Sequence, residues 1–184
     1  MKIIIGITGA SGVIYGISLL KALKKMKKKT VLIISENAKK IMEFETEYKA
    51  RELEKIADRF YENKDLEADI ASGSTKFFGM VIIPCSMNTL SKISAGIADN
   101  LIARVASVCL KERRKLVLVP RETPINSIQI KNMYSLSKAG AIILPAMPAF
   151  YNKPKNLEDI VNFILGRVLD ALDIENELYS RWKE

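Results

Sequence analysis

Lys2-Ile-Ile-Ile-Gly-Ile-Thr8-Gly9-Ala10-Ser11-Gly12 is the stretch whose reading decides the fold. Its apolar run has the length of a buried strand, and Gly-Ala-Ser-Gly suits a tight turn. Ile14, Ile17, Leu20 and Leu23 then recur at helical spacing. The pattern predicts a strand feeding a helix that runs from Ser11 to about Lys25. Such a turn aims several backbone N–H groups at one spot, where the helix dipole adds positive charge. It can bind a phosphate or merely turn the corner, and the glycines alone leave both readings open.

The same grammar repeats along the chain. Thr30–Ser35, Met80–Pro84, Leu116–Pro120 and Ala141–Pro145 read as further strands. Helical patterns fill the spaces between: Asn37 to about Arg59, Leu90 to Gly96, a stretch N-capped by Asp99 and running to about Lys111, and Ile125–Lys138. A last helix is expected from Leu157 to about Leu172, before a tail of about residues 173–184 that carries the single tryptophan, Trp182. Ala71-Ser72-Gly73-Ser74 reads as a loop and as a candidate mobile segment over a site. Strands alternating with helices predict an α/β fold. It is a single doubly wound, Rossmann-like parallel sheet with helices on both faces, spanning 1–184 as one domain.

Composition narrows the chemistry. The 184 residues are 48% hydrophobic and 27% charged, as in an ordinary globular domain, and no apolar run reaches the length of a membrane span. The start goes directly into a core strand, which leaves no room for a signal peptide. Cys85 and Cys109 lie in apolar segments and read as buried thiols in a reducing cytoplasm. Histidine is absent, which removes Ser-His and Cys-His nucleophile pairs and histidine metal sites, so no metal is expected. The net charge of +8 and the run Lys21, Lys24, Lys25, Lys27, Lys28, Lys29 fit a solvated helix end or anionic small ligands. No aromatic interleaving of an RNA-binding sheet accompanies them, so no nucleic-acid partner is expected.

In doubly wound sheets the ligand sits beyond the carboxyl ends of the strands, where strand order reverses. The residues there are Thr8-Gly9-Ala10-Ser11, Ser35, Cys85-Ser86-Met87-Asn88-Thr89, Arg121-Glu122-Thr123 and Phe150-Tyr151. Hydroxyls and N–H groups at two helix starts suit a phosphate, and a ring system across the strand tips describes a mononucleotide such as FMN. Tyr134 and Lys138 imitate the Tyr-x-x-x-Lys pair of short-chain dehydrogenases. The serine expected about a dozen residues earlier is replaced by Pro120-Arg121-Glu122, so they read as helix-surface residues.

Five motifs in register, Thr8-Gly-Ala-Ser-Gly-x-x-Tyr-Gly16, Pro84-Cys-Ser-Met-Asn-Thr-Leu90, Lys111-Glu-Arg-Arg114, Leu118-Val-Pro-Arg-Glu-Thr-Pro124 and Pro148-x-Phe-Tyr151, resemble the UbiX-type flavin prenyltransferases. The resemblance implies a metal-independent transferase. It joins a dimethylallyl group from dimethylallyl monophosphate to N5 and C6 of reduced FMN and supplies prenylated FMN to UbiD-type decarboxylases. It further implies that Gly9, Ala10, Ser11, Ser35, Ser86, Met87, Asn88, Thr89 and Arg121 hold FMN. Arg104, Lys111, Arg121, Glu122, Tyr151 and Arg167 would take the prenyl phosphate, with Ser11, Glu45 and Glu122 as catalytic groups. A homo-oligomer built from trimers, commonly a dodecamer, and a tail packed near the phosphate site or on a neighbouring subunit follow from the same resemblance. Two alternatives stand beside it. An FMN-dependent cysteine decarboxylase would need a histidine base, and a non-enzymatic FMN carrier would need no prenyl donor.

Overall fold

The computed structural model describes residues 1–183. Six strands, β1 (Lys2–Ile7), β2 (Lys29–Ile34), β3 (Arg59–Glu62), β4 (Gly79–Cys85), β5 (Lys115–Pro120) and β6 (Ile142–Ile143), form one parallel sheet in the order β3-β2-β1-β4-β5-β6. The helices are α1 (Val13–Lys25), α2 (Glu36–Glu45), α3 (Ala50–Ile56), α4 (Met87–Ser94), α5 (Leu101–Lys111), α6 (Ser127–Lys138) and α7 (Leu157–Ala171). Because successive strands step outward from β1 in opposite directions, right-handed crossovers place the two halves' helices on opposite faces. The crevice between β1 and β4 is therefore left uncovered at the strand tips.

Alternation along each strand divides the core in two. Ile3, Ile5 and Ile7 of β1, Val81 and Ile83 of β4, and Val117 and Val119 of β5 face α1, α2, α3 and α7. Ile4, Met80, Ile82, Leu116 and Leu118 face α4, α5 and α6. Burial on both faces explains why these strands read as continuous apolar runs. Gly16 lets α1 lie against the sheet: a Cβ there would stand 2.5 Å from the Ile83 carbonyl oxygen and 2.9 Å from the Ile7 side chain. The β4–β5 register slips between Ile82 and Cys85, so the chain is irregular where the crevice begins.

Three local expectations change. The helix predicted from Asn37 to about Arg59 is two helices followed by an edge strand. The Thr46 hydroxyl donates to the Met42 carbonyl at 2.9 Å and accepts the Tyr48 N–H at 3.2 Å, closing α2, and Glu52 accepts the Lys49 N–H at 3.0 Å as α3 opens. Asp58 then accepts the Thr30 N–H at 2.8 Å, which fixes β3 beside β2. The N-cap of α5 is Asn100, whose side chain accepts the Ala103 N–H, while Asp99 pairs with Lys92 at 2.6 Å. The loop Ala71–Ser74 is clamped along the α5 face. Arg104 donates to the Ala71 carbonyl, and Arg114, stacked 4.2 Å over Phe77, donates to the Gly73 and Thr75 carbonyls.

Replacing Gly16 with alanine sets a new methyl against backbone of the central sheet. Helix propensity returns only about 1 kcal/mol, so Gly16→Ala should lose about 1–2 kcal/mol net. Equilibrium denaturation would show a lower midpoint at unchanged slope. An unchanged midpoint would mean that α1 lifts from β4 without cost.

Candidate functional site at the strand tips

Thr8 is the hinge pin of the crevice. Its side chain is buried, its hydroxyl donates to the Pro84 carbonyl at 2.7 Å, and the same oxygen accepts the Ser86 N–H at 2.7 Å. One hydroxyl thus ties the loop after β1 to the loop after β4. Gly9 follows where a Cβ would meet the Asn37 Cβ at 2.6 Å, and Gly12 adopts φ 95° to enter α1. Glu45, at the end of α2, accepts the Gly12 and Val13 N–H groups at 2.8 and 3.2 Å. The anion at the start of α1 is therefore the chain's own carboxylate. This places Glu45 beside Ser11 and settles what the glycine turn binds within the chain.

Two further helix starts face the opening. Ser35 caps α2 by accepting the Ala38 N–H at 3.2 Å. Ser86 caps α4 by accepting the Thr89 N–H at 3.2 Å, while its own hydroxyl donates to Thr89 Oγ1 at 3.0 Å. Gly9, Ser35, Asn63, Ser86, Asn88 and Thr89 line a polar cleft of about 290 Å³. A smaller recess of about 70 Å³ lies on the other side of Met87, bordered by Arg121, Glu122, Thr123, Pro145 and Met147. Arg121 spans the tips: its N–H meets the Cys85 carbonyl at 3.4 Å, and its Nε donates to the Ser11 carbonyl at 3.2 Å. Glu122 accepts the Thr123 N–H at 3.0 Å.

The sheet thus gathers Gly9, Ala10, Ser11, Ser35, Glu45, Ser86, Met87, Asn88, Thr89, Arg121 and Glu122 at one end of the molecule. The remaining expected residues are held by other partners. Arg104 sits on α5 with its Nε on the Ala71 carbonyl at 3.0 Å. Lys111 ends α5, paired with Glu112 at 2.6 Å, close to where β5 starts at the opposite edge of the sheet. Tyr151 packs edge-on against Phe163 and Trp182, with ring centroids 6.0 and 5.1 Å apart. Arg167 lies on α7 with one nitrogen 3.3 Å from the Tyr179 hydroxyl and 3.8 Å from Asp170. Among the described residues, no hydrogen bond, ion pair or ring contact joins these four to Ser11, Ser86 or Arg121.

Other chemistries find little here. Burial pushes the Cys85 and Cys109 thiols up to about 12, which keeps them protonated and unreactive. Among the described residues, no group of His, Cys, Asp and Glu is arranged to hold a metal ion, and no helix is long and apolar enough to cross a membrane. Thr8 is the participant that motif reading left without a role, because its partners lie 76 and 78 residues away. Asn63 is another: its backbone carbonyl and side chain accept the Leu101 and Ile102 N–H groups beside the cleft.

Thr8→Val keeps the shape and deletes both side-chain bonds, leaving the Ser86 N–H without its partner and the Pro84 carbonyl with only the Thr8 N–H at 3.3 Å. The loss should be about 1–3 kcal/mol, read as a lower denaturation midpoint, with weaker FMN binding because the two loops separate. Wild-type FMN affinity in a destabilised Thr8→Val protein would show that the loops are held by something else.

Comparison with known proteins follows the same geometry. The Flavoprotein family profile matches residues 1–169. The flavin prenyltransferase UbiX of Methanocaldococcus jannaschii is 55% identical over 182 residues, covering 99% of this chain and 98% of that protein. The crystal structure of AnUbiX (PadA1) in complex with FMN and dimethylallyl pyrophosphate is similar at TM-score 0.97 and 41% identity, covering 100% of this chain and 97% of the other. The dodecameric FMN-dependent UbiX-like decarboxylase from Escherichia coli O157:H7 also reaches TM-score 0.97, at 48% identity with both chains fully covered. Full-length identity and a shared fold together make this chain a flavoprotein of the UbiX flavin prenyltransferase family.

Proposed function

We propose that the protein transfers a dimethylallyl group from dimethylallyl monophosphate to FMN, acting as a flavin prenyltransferase without a metal. The observation that carries this reading is the hydroxyl-lined cleft at the switch point, with Arg121 reaching from β5 to Ser11 at its rim. The cleft's donor set fits FMN: two capped helix starts and the hydroxyls of Ser35, Ser86 and Thr89 suit a phosphate and polar ring edges. Once bound and reduced, FMN supplies the nucleophilic N5 and C6 positions that accept the five-carbon group.

The chain's own residues do the rest. Gly9 lets Asn37 pack close behind the loop, so that Gly9 and Ala10 can offer backbone to the ligand at the β1 tip, and Met87 and Asn88 border it at the start of α4. Ser11 handles the proton at N5 next to Glu45, and Glu122 relays a proton toward the departing phosphate. Arg121 offers a fixed guanidinium to that phosphate, an electrostatic task that needs no metal. Arg104, Lys111, Tyr151 and Arg167 join it from other copies of the chain in a homo-oligomer. Their bonding to partners other than Ser11, Ser86 and Arg121 supports that division. The product, prenylated FMN, passes to a UbiD-type decarboxylase. Two buried thiols and the need for reduced flavin fit a cytoplasmic setting.

Anaerobic incubation with reduced FMN and dimethylallyl monophosphate should yield, by mass spectrometry, a flavin heavier by one five-carbon unit. Flavin recovered unchanged would instead support a storage role. Ser11→Ala and Glu122→Gln should retain FMN while turnover falls by about 10²–10⁴-fold. Assayed below the wild-type KM for the donor, Ser11→Ala and Arg167→Ala should each turn over only slowly alone, and co-assembled mixtures should regain part of the activity. No recovery on mixing would place the two residues in one site of one chain.

A further inference from the structure

The last ten described residues fold back along α7, and one carboxylate holds them there. Asp170 accepts the Tyr179 hydroxyl at 2.7 Å, Asn176 Nδ2 at 2.9 Å, and two nitrogens of Arg181 at 2.9 and 3.3 Å. Burial alone would raise its pKa, but the hydrogen bonds from Arg181, Tyr179 and Asn176 hold the carboxyl below its usual range. The Tyr179 hydroxyl that donates to Asp170 also accepts from Arg167 Nη1 at 3.3 Å. Arg167 is thereby fixed through one nitrogen, while its Nε and Nη2 make no hydrogen bond among the described residues. Ring contacts extend the arrangement: Tyr179 lies edge-on to Phe163, Phe163 to Tyr151, and Tyr151 to Trp182. Gly166 leaves the space that Tyr179 occupies, since a Cβ there would run into the tyrosine ring, and its carbonyl accepts Asn176 Nδ2 at 3.3 Å.

We propose that residues 174–183 form a strap and that Asp170 and Tyr179 are positioning residues for the donor phosphate. The strap orients Arg167 and holds Trp182 on Tyr151. The proposal rests on the reading that Arg167 and Tyr151 bind that phosphate. A guanidinium anchored by one nitrogen presents its other edge in a fixed direction, the geometry that a bidentate phosphate contact requires. Anchoring in advance also lowers the rotamer entropy lost when the donor binds. Two guanidiniums, Arg167 and Arg181, surround the single carboxylate of Asp170, so the cluster keeps a net positive charge for an incoming dianion. Asp170 itself would face like charge from that dianion and therefore acts through Arg167 and the strap, not by contact.

Two variants release the strap by different routes. Asp170→Asn keeps the shape and removes the charge that holds Arg181 and Tyr179. Gly166→Ala keeps Asp170 and pushes Tyr179 away, while favouring the helix itself. Both should lower the fluorescence anisotropy of Trp182, the single tryptophan, and raise the KM for dimethylallyl monophosphate at least fivefold, with a smaller effect on kcat. FMN binding should be unaltered in both, because the cleft lies at the strand tips. A released strap with wild-type KM in both variants would overturn the proposal, and so would anisotropy unchanged in both. Arg167→Ala serves as the control. If it leaves KM unchanged, the assignment of Arg167 to the phosphate fails first. If it raises KM while the two strap variants do not, only the strap is refuted.

Discussion

The structure depends on a single hydroxyl at the point where strand order turns. β1 has neighbours on both sides and cores on both faces, so its tip has nowhere to go except into the crevice opposite β4. Two loops emerging side by side from parallel strands would present unpaired backbone groups to each other in a buried setting, a cost of about 1–3 kcal/mol for each unmade bond. Thr8 resolves this by accepting one N–H and donating to one carbonyl with the same oxygen. A hydrocarbon of the same shape would leave the Ser86 N–H unpaired and the Pro84 carbonyl with only the longer bond from the Thr8 N–H. With the two loops fixed together, Ser86 caps α4 and Arg121 can cross from β5 to the Ser11 carbonyl.

Charge at the crevice is arranged before any ligand arrives. The helix starts around it are occupied unequally. α1 carries the Glu45 carboxylate on its first N–H groups, whereas α2 and α4 are capped only by the neutral hydroxyls of Ser35 and Ser86. The partial positive charge of α4 is thus left for an external acceptor, that of α2 is shared with Glu36 in its own first turn, and that of α1 is met by Glu45. Under the proposed function, an anion entering the cleft would meet the serine side, with the Glu45 carboxylate held beside Ser11. The same inequality explains how a glycine-rich turn that looks like a phosphate cradle can instead serve the chain's own acid.

What could be read from the residues was what is local. Apolar runs of strand length and 3.6-residue periodicities placed five of the strands and most of the helices, because each signal is complete within a dozen positions. β3 escaped because Leu53, Ile56 and Phe60 keep helical spacing through a segment that the Thr46 turn and Asp58 break apart. The capping of α5 shifted by one residue, since Asp99 and Asn100 are equally good caps until Lys92 claims the aspartate. The crevice residues other than Glu45 were legible as a set because each follows a strand end, whereas Glu45 closes α2. Their connections were not: Thr8 reaches 76 residues along the chain and Arg121 reaches 110. Asp170, Tyr179 and Arg181 gave no motif at all, and only the backfolding of the tail brings them together.

The dispersal of the cations has a physical logic of its own. Arg104, Lys111, Arg121 and Arg167 each rest on a partner within the chain: the Ala71 carbonyl, Glu112, the Ser11 carbonyl, and the Tyr179–Asp170 pair. Four such groups converging in one fold, with a net charge already at +8, would repel one another wherever no dianion sits between them. Leaving them on separate surfaces lets each chain fold without that strain. Under the proposed division among copies, the full positive field arises only where chains meet, and the phosphate then stabilises the assembly as much as the assembly stabilises the phosphate.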